Sequence, residues 1–240
     1  MLRPLVLFLV PLMAVAAPVP KNELKAKIES KFGKMVDPKA DSTFELDNDA
    51  LKITLTAKED RRFGYTTSDG QGDAKRFDHT PRVEFARTGD FDLRVRVNAS
   101  LATDAETVEG KKAMHIGGGV KLVTSDGSLY WCGMVRIVSR AEVRTGFRSG
   151  SPGTWSNDFR DAIAHKKLDP DLTTAWLRVV RKGESLTCAA SKDGDEWVTL
   201  EEYPRGASDG RVDLALYAEH CSSKAHTVTL DQFSIEKPKK

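Results

Sequence analysis

The sequence predicts an all-β protein in which two antiparallel sheets form a sandwich, and three observations lead to this prediction. Apolar and polar residues alternate in LKITLTA at 51–57, FDLRVRV at 91–97 and RVDLALYAEH at 211–220, which is typical of strands with one buried face. Glycine-containing turn signals separate such segments: SDG begins at 68, 125 and 208, and KDG begins at 192. The chain shows no run of alternating strand and helix patterns, which a parallel sheet would require.

The N-terminus has the pattern of a secretory signal peptide. Arg3 supplies a positive charge, Leu5–Val15 is a short apolar stretch, and AVA at 14–16 is a small-residue cleavage site. The apolar stretch is shorter than the ~20 residues that a membrane-spanning helix needs. Residues 1–16 are therefore predicted to be a signal peptide, and we expect a secreted or periplasmic protein without stable membrane insertion.

The rest of the chain is predicted to contain one domain. Residues 17–36 are expected to be a helical or linker segment, because apolar residues recur at helical spacing among charged ones. Strand patterns then continue without a Pro/Ser-rich linker, so residues 37–236 are predicted to form the sandwich. Residues 237–240, KPKK, form a short basic tail.

The stretch SKDGDEW at 191–197 could be a calcium or sugar loop, or a hairpin turn. Asp-Gly supplies the positive φ angle that a tight turn needs. Ser191 can make local hydrogen bonds, and Trp197 begins the next strand pattern. The sequence therefore favours a turn covered by a packed tryptophan.

Charge and cysteine content limit the partners and cofactors. The formal net charge is +2, and the Lys and Arg residues are spread along the chain, so no basic footprint for nucleic acid is predicted. Cys132, Cys188 and Cys221 allow at most one internal disulfide, whose pairing stays open, and they can equally be small buried apolar residues. Their spacing does not match a zinc site. We expect no cofactor; calcium at DND, 47–49, is an alternative to the turn that we favour there.

Four segments in order resemble one superfamily. They include Pro-Arg followed by Gly-Asp-Phe within 80–97, and Trp-x-Arg followed by Ser-x-Asp-Gly within 176–197; the other two are 32–55 and 212–235. Together they resemble the concanavalin A-like lectin/glucanase superfamily, in its laminin-G-like and regulation-of-enolase-like branch of unknown function. The resemblance implies a jelly roll of two curved antiparallel sheets, with a concave outer face that holds sugars or peptides in many relatives. It does not imply catalysis, because the Glu-x-Asp-x-Glu strand of the glucanases is absent from this sequence.

A ligand face for carbohydrate would combine aromatic rings with planar hydrogen-bonding groups. The candidate ligand-binding residues are Tyr130, Arg136, Arg140, Glu142, Arg144, Trp155, Tyr217 and Glu219. Tyr130 and Trp131 are neighbours on a predicted strand, so at most one of them can face the ligand. Tyr217 and Glu219 join this face only if their strand belongs to the same sheet. The alternative is an ordinary solvated sheet face with cross-strand ion pairs.

These patterns predict an exported, non-catalytic binding module, with carbohydrate as the expected ligand. No catalytic residue or metal ligand is assigned. One alternative is a glycoside hydrolase of the same fold that uses scattered acids such as Glu142 and Glu219. A second is a cell-surface structural or protein-interaction domain, for which a broad apolar surface patch would be the mark.

Overall fold

The computed structural model describes residues 21–56, 60–61, 63–66, 75–99, 115–125, 129–137, 140–148, 160–161, 173–203, 210–221 and 224–238. The predicted signal peptide, residues 1–16, lies outside these ranges. Within the ranges, no helix is long and apolar enough to cross a membrane.

One helix and seventeen strands make up the described part of the chain. The helix is α1 (Lys21–Phe32). The strands are β1 (Lys34–Val36), β2 (Thr43–Asp47), β3 (Ala50–Leu55), β4 (Asp60–Arg61), β5 (Phe63–Thr66), β6 (Lys75–Asp78), β7 (Arg82–Arg87), β8 (Phe91–Ala99), β9 (His115–Thr124), β10 (Leu129–Ile137), β11 (Arg140–Arg148), β12 (Arg160–Asp161), β13 (Thr174–Lys182), β14 (Ser185–Ser191), β15 (Val198–Tyr203), β16 (Val212–Cys221) and β17 (His226–Glu236).

Two large antiparallel sheets contain most of these strands. The order in the eight-stranded sheet is β1-β7-β16-β9-β10-β11-β12, with β4 paired to β16. The order in the seven-stranded sheet is β15-β14-β13-β8-β17-β3-β2. Strands distant in sequence are neighbours in both sheets, as in a jelly roll. The predicted all-β jelly-roll sandwich is confirmed.

Alternate residues of both sheets point inward and form one core. On β8, Leu93, Val95 and Val97 are fully buried, and their polar neighbours Arg94 and Arg96 are partly exposed. The inner face of the eight-stranded sheet contributes Val83, Ile116, Val120, Leu122, Met134, Leu214 and Leu216. Each such side chain stabilises the fold by about 1.5–3 kcal/mol through burial. The period-two pattern therefore fixes which side of each strand joins the core.

Helix α1 packs onto the sandwich. Ile28 and Phe32 are buried in the core, and the Phe32 ring lies 5.7 Å from the ring of Phe233. The helix ends at Phe32 and is followed by Gly33, whose φ of 105° suits a glycine and whose N–H donates to the Glu29 carbonyl at 3.1 Å. The predicted short N-terminal helix is confirmed, and the chain continues directly into β1.

The stretch SKDGDEW forms the predicted turn. Ser191 Oγ donates to Asp193 Oδ1 at 2.9 Å and accepts the Gly194 N–H at 2.9 Å. Asp193 Oδ1 also accepts the backbone N–H groups of Asp195 and Glu196. The two backbone hydrogen bonds, and to a lesser degree the hydrogen bond from the Ser191 hydroxyl, lower the pKa of Asp193 to about 2. Its carboxylate therefore stabilises the turn from within.

Candidate functional site

The register of the eight-stranded sheet places several of the predicted site residues in one sheet. Strand β16, which carries Tyr217 and Glu219, pairs with β9, and β9 pairs with β10. Strand β10 in turn pairs with β11, which carries Arg140, Glu142 and Arg144. The condition that the sequence left open for Tyr217 and Glu219 is met, because their strand belongs to this sheet.

Strand β10 divides the predicted set between two sides. Tyr130 lies in the core, 4% exposed, with its ring 5.0 Å from that of Tyr203. Trp131 therefore occupies the outer side. Position 136 is opposite Ile116, a core residue, so by register it falls on the inner side as well. The outer face thus carries Trp131 in place of the predicted Tyr130.

Strand β11 is described by its backbone alone. Arg144 pairs with Gly133, Glu142 with Val135, and Arg140 with Ile137. Positions 142 and 144 consequently lie on the outer side, where β10 has Trp131. The side chains of Arg136, Arg140, Glu142 and Arg144, and the whole of Trp155, lie outside the described part of the structure.

Two paired glycines make room for the side chain of Tyr217. In register, Tyr217 pairs with Gly119 and Gly119 pairs with Gly133. A Cβ atom on Gly133 would stand 2.5 Å from the Tyr217 hydroxyl. Because that hydroxyl approaches a strand two positions away, at about 10 Å, the tyrosine ring crosses β9 and lies along the sheet. Glycine at position 133 is needed for this arrangement.

Lys121 is a buried basic residue on the outer face of the eight-stranded sheet, beside Tyr217. It is 3% exposed, its Nζ donates to Thr80 Oγ1 at 2.8 Å, and it lies 5.6 Å from the centroid of the Tyr217 ring, within cation–π range. Arg82 Nη1 donates to the Thr80 carbonyl at 3.0 Å, and its Nε donates to Glu84 Oε1 at 2.6 Å. Thr80 therefore links two cationic side chains.

The outer face of this sheet contains polar and aromatic residues that are buried or, for Arg82, half-buried. We call them the outer-face cluster: Thr80, Arg82, Lys121, Trp131, Tyr217 and Glu219. Solvent reaches 1% of Tyr217, 7% of Trp131 and 8% of Glu219. The outer side of an antiparallel sheet is usually solvated, and buried Lys and Glu are rare.

Sequence reasoning missed Lys121, Thr80 and Arg82, and it chose Tyr130 over its neighbour Trp131. One signal was present for the first of these. The run GGGVK at 117–121 places three glycines inside a strand, and interior strand glycines mark a close approach by another group. Thr80 and Arg82 had no local signal, because they come next to Lys121 only through the pairing of β7 with β16 and of β16 with β9.

A concave feature lies on the outer side of the seven-stranded sheet. It is a cavity of about 690 Å³, lined among others by Asp49, Arg94, Trp176, Asp195 and Asp231. Most of its charged groups already have partners within the fold. These are Asp231 with Arg96, Arg94 with Asp92, Asp49 with Lys31, and Asp47 with Lys52. The cavity is therefore lined mostly by charged groups that already bind one another or a neighbouring residue.

No metal centre is formed in the described ranges, where no three His, Cys, Asp or Glu side chains gather around a common point. The DND segment is a turn, as we favoured from the sequence. Asp47 binds Lys52 Nζ at 2.6 Å, and Asn48 adopts a φ of 54°.

Comparison with known proteins supports the fold and leaves the finer classification open. The sequence matches no protein-family model and no curated protein. The structure is similar to a functionally unknown protein from Saccharomyces cerevisiae, with a TM-score of 0.59, 15% identity, and coverage of 86% of this chain and 97% of that chain. This likeness shows a shared fold.

Two further solved structures are more distant. An alginate lyase from Klebsiella pneumoniae has a TM-score of 0.46 and 10% identity, covering 81% of this chain and 84% of that chain. The GH43 protein BlXynB from Bacillus licheniformis has a TM-score of 0.47 and 10% identity, covering 82% of this chain and 35% of that chain. The class that the structure defines is a jelly-roll β-sandwich; membership of the laminin-G-like branch stays a prediction.

Proposed function

We propose that the protein is an exported, non-catalytic module that binds carbohydrate on the outer face of the eight-stranded sheet. One observation carries the proposal: the outer-face cluster keeps Lys121, Tyr217 and Glu219 buried on the side of the sheet that is normally solvated. Buried polar groups are held in place by hydrogen bonds, as Lys121 is by Thr80. Hydroxyl, ammonium, carboxylate and aromatic groups together suit the hydroxyl-rich surface of a saccharide.

The two acids of the hydrolase alternative, Glu142 and Glu219, lie on strands that are not neighbours. In register, Glu219 is opposite Gly117, Gly117 is opposite Val135, and Val135 is opposite Glu142. Three strand spacings separate the two glutamates, about 14 Å between their backbones. Glycosidase carboxyl groups stand about 5–5.5 Å or 6.5–9.5 Å apart, so the two glutamates would have to extend toward each other across the intervening strands to reach either geometry.

A protein-docking role has less support. In the part of the chain that the structure describes, Val198 is the one large hydrophobic residue that is exposed, at 40%. A docking surface for another protein would be expected to present a broad apolar patch.

Binding and its location can be tested together. The purified protein is applied to an array of neutral, carboxylated and sulfated oligosaccharides, and the best binder is titrated by calorimetry. Lys121→Met removes one charged donor, and we expect it to weaken affinity at least about tenfold, the value of a charge-assisted hydrogen bond. Lys182→Met, at the exposed end of β13 in the other sheet, is the matched control and should bind as the wild type does.

Gly133→Ala is a second variant that keeps every polar group. Its new methyl group pushes on the Tyr217 hydroxyl, so affinity should fall while circular dichroism stays unchanged. Absence of binding to every saccharide would contradict the proposal. Equal affinity of the wild type, Lys121→Met and Gly133→Ala would contradict it as well.

A further inference from the structure

Two cysteines face each other across the core. Cys132 lies on β10 of the eight-stranded sheet and Cys188 on β14 of the seven-stranded sheet. Both belong to the buried core, 0% and 1% exposed. The Cys132 thiol donates to the carbonyl of Ala189, the residue after Cys188, at 4.0 Å. The two side chains thus meet where the sheets pack together.

The thiols are reduced in this structure and interact directly. A hydrogen bond with Cys188, followed by burial, raises the pKa of the Cys132 thiol well above its usual value. The thiolate is the reactive form of cysteine. A folded, reduced chain should therefore resist oxidation at this pair.

The local backbone allows the sulfurs to come closer. A disulfide needs sulfurs about 2.05 Å apart and Cβ atoms about 3.8 Å apart, so hydrogen-bonded thiols must close by about 1–2 Å. The pairing of β14 with β15 passes from Cys188–Glu201 to Ala189–Thr199 and skips Leu200 on β15, so the hydrogen-bond ladder beside Cys188 is already irregular. Gly133 follows Cys132, and Ala189 and Ala190 follow Cys188, so the neighbouring side chains are small.

We propose that Cys132 and Cys188 form a disulfide that joins the two sheets when the chain folds in the presence of a disulfide oxidant. One thiolate attacks the oxidant, forms a mixed disulfide and releases one thiol. The second thiolate then attacks the cysteine sulfur and releases the other. The pair loses two electrons and two protons, and the oxidant disulfide is reduced to two thiols.

The bridge has consequences that do not depend on the proposed carbohydrate binding. It closes a long loop between the two sheets, and such a constraint should raise the melting temperature by roughly 10 °C. Exchange should occur during folding, before the pair is buried. Cys221 is left as the unpaired cysteine.

Peptide mapping tests the pairing directly. The denatured, reduced chain is refolded with reduced and oxidised glutathione, alkylated, and digested with trypsin. Cleavage at Lys and Arg places the three cysteines in separate peptides, 122–136, 183–192 and 212–224. We expect a linked pair of the first two peptides that separates on reduction, and an alkylated third. Recovery of Cys132 and Cys188 as alkylated peptides, or linkage of Cys221 to either, would overturn the proposal.

Two variants separate the bridge from the general effect of losing a cysteine. Cys221→Ser should keep the linked peptides and melt at a temperature that falls when reductant is present during refolding. Cys188→Ala should lose the linkage and melt at the same temperature with and without reductant. If Cys188→Ala does not fold, Cys221→Ser still tests the proposal. A melting temperature of Cys221→Ser that does not depend on reductant would contradict the proposed disulfide.

Discussion

Replacing Asp92 with asparagine removes a charge that two arginines share on the outer side of the seven-stranded sheet. Arg178 donates to the Asp92 carboxylate at 2.8 and 2.7 Å, and Arg94 donates at 3.3 and 3.0 Å. The Asp92 side chain is 5% exposed. The ring of Trp197 lies 5.6 Å from the Arg178 guanidinium and 5.7 Å from that of Arg94. The carboxylate therefore anchors both arginines beneath the tryptophan.

The magnitude follows from the titration of Asp92. Burial raises its pKa, but the hydrogen bonds and charges of Arg178 and Arg94 outweigh this effect, and the pKa falls from 3.8 to about 2. A depressed carboxyl pKa contributes stability that is present above the unfolded pKa and is lost as pH falls through the folded one. The difference corresponds to about 2 kcal/mol of unfolding free energy at pH 7, of which about half is lost by pH 3.

Urea denaturation of the wild type and Asp92→Asn, at pH values from 7 down to 3, measures both quantities. We expect the variant to be about 2 kcal/mol less stable at pH 7, with the gap narrowing below pH 4. Asp213→Asn is the matched control, because Asp213 and its partner Arg211 are 62% and 68% exposed and such pairs contribute about 0–1 kcal/mol. A loss of stability for Asp92→Asn that is as small as the control's, or that does not change with pH, would show that the two arginines do not stabilise the Asp92 carboxylate.

Two further predictions concern stability. Gly194 has a φ of 92°, and a Cβ there would stand 2.9 Å from the Trp176 ring, whereas Gly183 has a φ of 56° and open space around it. In urea denaturation, Gly194→Ala should therefore cost at least about 1 kcal/mol more than Gly183→Ala, which carries only the backbone strain of about 1–2 kcal/mol; equal losses would contradict this. Burial, and to a lesser degree the charge of Lys224, lowers the pKa of His226 in the folded state. The neutral form of His226 therefore contributes its full stability above the unfolded pKa of about 6.5, and this stability declines as the pH falls below that value. The melting temperature should fall less between pH 7 and pH 5 in His226→Gln than in the wild type, and an unchanged slope would show that another group titrates.

Local pattern was sufficient to predict the strands and the main turn. The alternation in FDLRVRV appears as β8 with its apolar side in the core. Asp-Gly at 193–194 sits in a turn because its requirement for positive φ is local. The helix ends at Phe32 and not later in the predicted segment, because the next residue, Gly33, has a positive φ that terminates it.

The site was less accessible to sequence reasoning, for physical reasons. Tyr130 and Trp131 are both aromatic neighbours on one strand. The alternation of a strand places them on opposite sides of the sheet, but it does not show which of the two enters the core. The burial of Lys121 depends on Thr80 and Tyr217, which reach it through strand pairing between segments distant in sequence. These relations arise only when the sheets are assembled.

The most direct test of carbohydrate binding on the eight-stranded sheet is NMR chemical-shift mapping. Isotope-labelled protein is titrated with the saccharide that binds best on the array. We expect the largest amide shifts at Gly117, Gly119, Gly133 and Tyr217, which lie on β9, β10 and β16. Largest shifts at the turn 193–195, beside the cavity on the other sheet, would contradict it.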